Sequence, residues 1–139
     1  MKRWIALLGA ALMIFCAMLP SASFTEDRET VLLARAIYAL AKDESYDTKL
    51  AIGTVAMNRV ENAWFDNTLN GVLNAQHQFP IGRRYDADSL AAAHAVIAGE
   101  RTLPDEALYY RPLDAAEPWR QTPLRTVGGY AFYTIDENL

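Results

Sequence analysis

Carboxylates and aromatic rings are the chemistry-bearing side chains this sequence supplies in quantity. His77 and His94 are its only histidines, and neither belongs to a helical His pair with an intervening glutamate, the arrangement that holds a hydrolytic zinc. Ser45 and Ser89 stand where helix caps are expected, and no Gly-x-Ser-x-Gly elbow occurs. Gly128-Gly129 precedes a strand-like segment, so it is not a phosphate-cradling loop, which opens a helix. No metal or cofactor is implied. What remains is an equipment suited to glycans. Sugar rings offer apolar faces for stacking and hydroxyls for hydrogen bonds, and cleavage needs a proton-donating acid beside the glycosidic oxygen. Tyr109, Tyr110, Trp119, Tyr130 and Phe132 gather late in the chain, either as a sugar-stacking surface or as core.

The elements that must position these residues are readable from periodicity. Thr25, followed by Glu26, Asp27 and Glu29, reads as a helix start with acids in the first turn, where the helix dipole favours them. Leu33, Ile37, Leu40 and Ala41 then recur at helical spacing to about Lys42. Ser45 or Asp47 caps a second helix carrying Leu50, Gly53, Met57 and Val60 on one face. Gly53 there costs about 1 kcal/mol against alanine, for which a close approach by the first helix is the expected reason. Residues 67–73 predict one or two helical turns, and 76–85, with Pro80 and Gly82, a loop. A further helix runs from Asp88 or Ser89 to Ala98, stopped by Gly99. Residues 107–110 and 130–133 suit strands, and 111–127, with three prolines, reads as an irregular loop around Trp119. The fold class is α+β: a helical subdomain of three to four helices followed by a small antiparallel β pairing.

The N-terminus reads as an address. Lys2 and Arg3 precede an apolar run of 16 residues from Trp4 to Leu19, and Pro20-Ser21-Ala22-Ser23 then offers small residues to a signal peptidase. The run is short of the roughly 20 residues a spanning helix needs. The expectation is a signal peptide over 1–23 and one domain over 24–139, exported to the periplasm or cell wall; a retained N-terminal anchor is the alternative. Cys16 lies inside the apolar run, so the mature chain has no thiol or disulfide chemistry. Without Lys2 and Arg3, 11 basic residues face 17 acidic ones, a formal charge of −6. Nucleic acid, whose phosphates need clustered Lys and Arg, is excluded as a partner. Binding to an anionic polymer must rest instead on shape, hydrogen bonds and aromatic stacking. The chain is expected to be a monomer that meets the membrane only through its signal segment.

Six segments in order carry a resemblance. They are LLARAIYALAKDE at 32–44, AIGTVAMNRVEN at 51–62, FDNTLNGVL at 65–73, QHQFP at 76–80, ALYYRP at 107–112 and VGGYAFY at 127–133. With Trp119 they resemble the cell-wall hydrolase family of the spore-cortex-lytic enzyme type over nearly all of the mature chain. The resemblance implies a lysozyme- or transglycosylase-like cleft and peptidoglycan glycan strands as partner. It also implies a chemistry in which one glutamic acid protonates the leaving oxygen and the muramic 6-hydroxyl closes an anhydro ring.

This sequence departs from that family at one position. The family's first helix reads Ala-Glu-Ala-Arg-Gly-Glu, and here Ala39-Leu40-Ala41-Lys42-Asp43-Glu44 stands in its place. The second glutamate is kept as Glu44; the first, the acid the family uses, is Leu40, which has no proton to donate. Glu44 is four residues on, about 6 Å along a continued helix, and is the remaining candidate acid. Its other readings are a cap for the second helix or an ion pair with Lys42 or Lys49. The resemblance also points to Asn58, Gln78, Phe79, Tyr110 and Trp119 as substrate-binding residues, each with a packing role as the alternative. The function implied is a peptidoglycan-directed hydrolase with weak or no cleavage, or a non-catalytic wall-binding relative.

Overall fold

The computed structural model describes residues 26–138. The expected signal peptide and Thr25 lie outside the described residues. Helix α1, Arg28–Ala41, buries Leu33, Ala34, Ala36, Ile37 and Ala41, the apolar stripe the spacing predicts. Its N-cap is Asp27, in extended conformation, without a side-chain cap bond. Helix α2, Tyr46–Val60, starts at Ser45, whose side chain accepts from the Thr48 amide at 3.4 Å. Nearly all of α2 is buried, polar Thr48, Thr54, Asn58 and Arg59 included. It is therefore the central helix, and a one-sided apolar stripe is replaced by apolar character around most of its circumference.

Helix α3, Leu69–Asn74, is capped by Thr68, and helix α4, Ala87–Ile97, by Asp86, which accepts from the Ser89 amide at 2.8 Å. Gly99, at φ +114°, follows α4 as its left-handed stop. The glycine in α2 has a sharper reason than the one expected. A β-carbon on Gly53 would stand 3.0 Å from Val96 of α4 and 3.3 Å from Ile37 of α1. Both helices press there, and α4 presses harder.

Three strands complete the fold: β1 Tyr109–Pro112, β2 Arg125–Val127 and β3 Tyr130–Tyr133, antiparallel in the order β1-β3-β2. Tyr110 pairs with Phe132 and Arg111 with Ala131 across β1–β3, and Thr126 pairs with Ala131 across β2–β3. Strand β2 corrects the reading of 111–127 as wholly irregular: its residues are exposed or half-exposed, so no apolar alternation marks it. All four residues of β3 are buried. Phe132 lies fully buried with Leu33, Ile37, Ile52 and Val55, joining sheet to helices. Burial of a side chain of this size contributes about 1.5–3 kcal/mol.

Candidate active site

The elbow between α1 and α2 meets the β2–β3 turn. Leu40, on the last turn of α1, is half-buried against the core, and its carbonyl accepts from the Tyr130 hydroxyl at 2.6 Å. Past the end of α1, the Gly129 amide donates to Glu44 Oε2 at 3.3 Å. A β-carbon on Gly129 would come within 2.4 Å of Glu44 Oε1, and one on Gly128 within 2.3 Å of Thr48 Oγ1. Glu44 is thus seated against a turn that has room for it because the turn is glycine. It neither caps α2, which Ser45 does, nor pairs with a lysine side chain. Lys49 instead donates from Nζ to the Glu44 backbone carbonyl at 3.1 Å. Glu44, Tyr130, Gly129 and Pro112 border a shallow hollow.

On the other side of Pro112 lies a second hollow, of about 310 Å³, built around Arg59. Arg59 is 2 % exposed. Its Nε donates to the Leu108 carbonyl at 2.7 Å and Nη1 to Gln78 Oε1 at 2.9 Å. The rings of Phe65, Phe79 and Tyr109 surround the guanidinium at 5.0, 5.0 and 5.1 Å, a cation–π cage. Burial lowers the Arg59 pKa, opposed by its charge interactions with Tyr110, Tyr109 and Asp136.

Tyr110 donates its hydroxyl to the Gln78 carbonyl at 2.6 Å, tying the 76–80 loop to β1. Burial pushes its phenol up to about 12, with Arg59 opposing, so it is a neutral donor at ordinary pH. Trp119 packs on Tyr133 with centroids 4.8 Å apart and lies beneath Arg111 at 4.9 Å. Gln78, Tyr110 and Trp119 therefore share one hollow.

Asn58 and Phe79 do not line that hollow. Asn58 is 2 % exposed and spends its amide nitrogen on the carbonyls of Pro104 and Ala107, at 2.9 and 3.1 Å. Phe79, 8 % exposed, props Arg59 and Tyr110 from beneath. Tyr109, one of the late aromatics, and Arg59, in the Asn-Arg-Val end of the second segment, also line the hollow; Arg111 and Asp136, which line it too, went unassigned in the sequence. So did Trp64, 91 % exposed, which borders an adjoining apolar hollow with Phe65, Tyr109 and Ile135. A lone tryptophan in the polar stretch after α2 was its available signal.

A profile of the family described as Cell Wall Hydrolase matches residues 43–133. The chain belongs to the cell wall hydrolase family. It is 31% identical over 109 residues to the spore cortex-lytic enzyme of Bacillus subtilis (strain 168), covering 73% of this chain and 36% of that protein. It is 29% identical over 109 residues to the spore cortex-lytic enzyme of Bacillus cereus, covering 73% and 42%. The chain thus spans about two-fifths or less of the length of these curated relatives. Its fold matches the catalytic domain of the Bacillus cereus SleB protein with a TM-score of 0.69 at 27% identity, covering 76% of this chain and 88% of that one. It also matches the catalytic domain of the germination-specific lytic transglycosylase SleB from Bacillus anthracis, with a TM-score of 0.68 at 25% identity, covering 78% and 97%. This cell wall hydrolase domain, with four helices and a three-stranded antiparallel sheet among the described residues, therefore matches the fold of SleB catalytic domains.

Proposed function

We propose that this member of the cell wall hydrolase family is an exported, monomeric protein that binds peptidoglycan glycan strands and cleaves them weakly or not at all. One observation carries the second half of that statement: Leu40 occupies the end of α1 where the family resemblance places the acid. General acid catalysis works over hydrogen-bond distances, and a leucine offers no proton at any distance. In the chemistry that the name of the Bacillus anthracis relative indicates, a carboxylic acid protonates the glycosidic oxygen as the bond to C1 breaks. The muramic 6-hydroxyl then adds to C1 and returns its proton to the carboxylate. Without that acid, the hollow around Arg59 retains groups suited to holding a strand, with Gln78, Tyr110 and Trp119 as the contacts.

A second reading rests on Glu44. It borders the separate hollow beside Tyr130, four residues past Leu40 and beyond the end of α1, and its carboxyl would have to leave the Gly129 amide to reach a substrate oxygen. Zymography of the purified mature protein on isolated peptidoglycan separates the two. Binding with little or no product supports the first reading; strong cleavage abolished by Glu44→Gln supports the second.

The contact surface is tested by co-sedimentation with purified glycan strands. Trp119→Ala or Tyr110→Ala is expected to weaken binding by roughly 1 kcal/mol or more with the fold retained. Unchanged affinity with a large fall in melting temperature would assign those rings to the core. For export, N-terminal sequencing of the envelope form is expected to begin near Ser23 or Phe24. A sequence beginning at Met1 or Lys2 would show instead that the segment is a retained anchor.

A further inference from the structure

Arg59 is a buried cation that forms no ion pair among the described residues; Asp136, on the rim of the hollow, acts on it only through its charge. A guanidinium taken out of water is costly unless paired and hydrogen-bonded. The ion pairs formed among the described residues are His94–Glu26 and Arg101–Glu61, and neither involves Arg59. Its Nε and Nη1 hold Leu108 and Gln78, while among the described residues Nη2 has no hydrogen-bond partner and is not one of the buried unpaired atoms. The residue lines the hollow beside β1, so the free edge of its fork is reached from there. Arg111 borders the same hollow, fixed over Trp119 and by its bond to the Glu117 carbonyl. His77 and Gln78 complete one wall, and Asp136 is the one acid on the rim.

We infer that this hollow is a carboxylate-binding subsite in which Arg59, with Arg111 beside it, receives an acidic group carried by the glycan strand. The inference deepens the peptidoglycan reading and rests on it. Muramic residues bear a lactyl group whose carboxyl is either free or amide-linked to a peptide with its own carboxylates. The planar fork of arginine suits a carboxylate better than an ammonium does, because two parallel N–H donors meet two oxygens. A low-dielectric aromatic cage strengthens that attraction relative to water. The acidic net charge of the chain disfavours anions at long range, so recognition has to be local, as this pair of arginines is. Asp136 opposes an incoming carboxylate and so biases the site against weakly held anions.

The test is titration calorimetry of the intact mature chain with three probes. They are the N-acetylglucosaminyl–N-acetylmuramic disaccharide as free acid, the same disaccharide with its lactyl carboxyl converted to the methyl amide, and a muropeptide with its stem peptide. The free acid is expected to bind about tenfold more tightly than the methyl amide. If the peptide supplies the carboxylate, the muropeptide shows that advantage instead. Asp136→Asn is expected to tighten the acidic probe severalfold and leave the methyl amide unchanged. Arg59→Lys, with its fold checked by melting, is expected to lose the selectivity. Should Arg59→Lys not fold, the Asp136→Asn comparison decides alone. Equal binding of all three probes, unmoved by Asp136→Asn, would overturn the subsite and leave the glycan reading standing. Binding of none would overturn both.

Discussion

Leu40→Glu is expected to turn a protein that releases little or no glycan product into one that releases it measurably. The expected gain is on the order of a hundredfold or more, the lower range of what a positioned general acid supplies. Glutamate is close to leucine in length, and the flanking Ala39 and Ala41 already match the family. Tyr130 holds the Leu40 carbonyl, so the backbone of this last turn is fixed before any substitution. A carboxyl at a half-buried site beside Glu44 would have its pKa raised by desolvation and by like charge, which keeps the proton on at neutral pH. Asp43 stands where the family has glycine, and its charge is expected to keep the gain below a full family rate. Leu40→Gln is the control: same shape, no transferable proton, no gain. Reducing-end and anhydro-product analysis by mass spectrometry reads the outcome. A wild type that cleaves well and loses activity on Glu44→Gln places the acid at Glu44. If wild type and Leu40→Glu are both inactive and neither binds strands, the hollow is not a glycan site.

How much of this was legible in the sequence follows from what each residue depends on. Helices α1 and α4 announce themselves because one face is buried and the spacing repeats it, and β3 because Tyr130, Phe132 and Tyr133 are aromatic. Strand β2 is specified by its neighbour: Arg125 pairs with Phe132 and Val127 with Tyr130, while its own side chains are exposed at Arg125 and Thr126 and half-buried at Val127. Gln78, Tyr110 and Trp119 were recognisable as loop and aromatic residues, and they do converge. The packing of Asn58 is set by where residues 104–107 pass over α2, a tertiary fact. Arg59 ties the end of α2 to the Leu108 carbonyl. That it is also caged by three rings from three separate segments could not be read from local pattern.

Gly128→Ala is expected to be the most destabilising single change at the site, and the contrast with its neighbour identifies why. Gly128 sits at φ +55°, a left-handed conformation that costs an L-residue about 1–2 kcal/mol. Its new β-carbon would also stand 2.3 Å from Thr48 Oγ1, 2.5 Å from Glu44 Oε2 and 3.4 Å from Thr48 Cβ, of which the Glu44 carboxylate can swing aside freely and Thr48 cannot. Thr48 is fully buried and its hydroxyl is bonded to that of Ser45, so it can turn away only by giving up that bond inside the packed core. Strain and overpacking together should cost about 3 kcal/mol, a fall in melting temperature of roughly 10–20 °C for a domain of this size. Gly129→Ala meets the end of the long, half-exposed Glu44 side chain, which can swing aside. Its cost should be no more than the one hydrogen bond displaced, about 1 kcal/mol. Adding Glu44→Ala is then expected to make Gly129→Ala nearly neutral, because the clashing carboxylate is gone. The same addition should leave Gly128→Ala unstable, because Thr48 and the backbone angle remain. Thermal melts of the two single variants and the two doubles check this directly. Rescue of Gly128→Ala by Glu44→Ala would mean that Thr48 yields and that the carboxylate alone sets the turn. No cost at either glycine would mean that the β2–β3 turn is not held against the α1–α2 elbow at all, and the seat assigned to Glu44 would go with it.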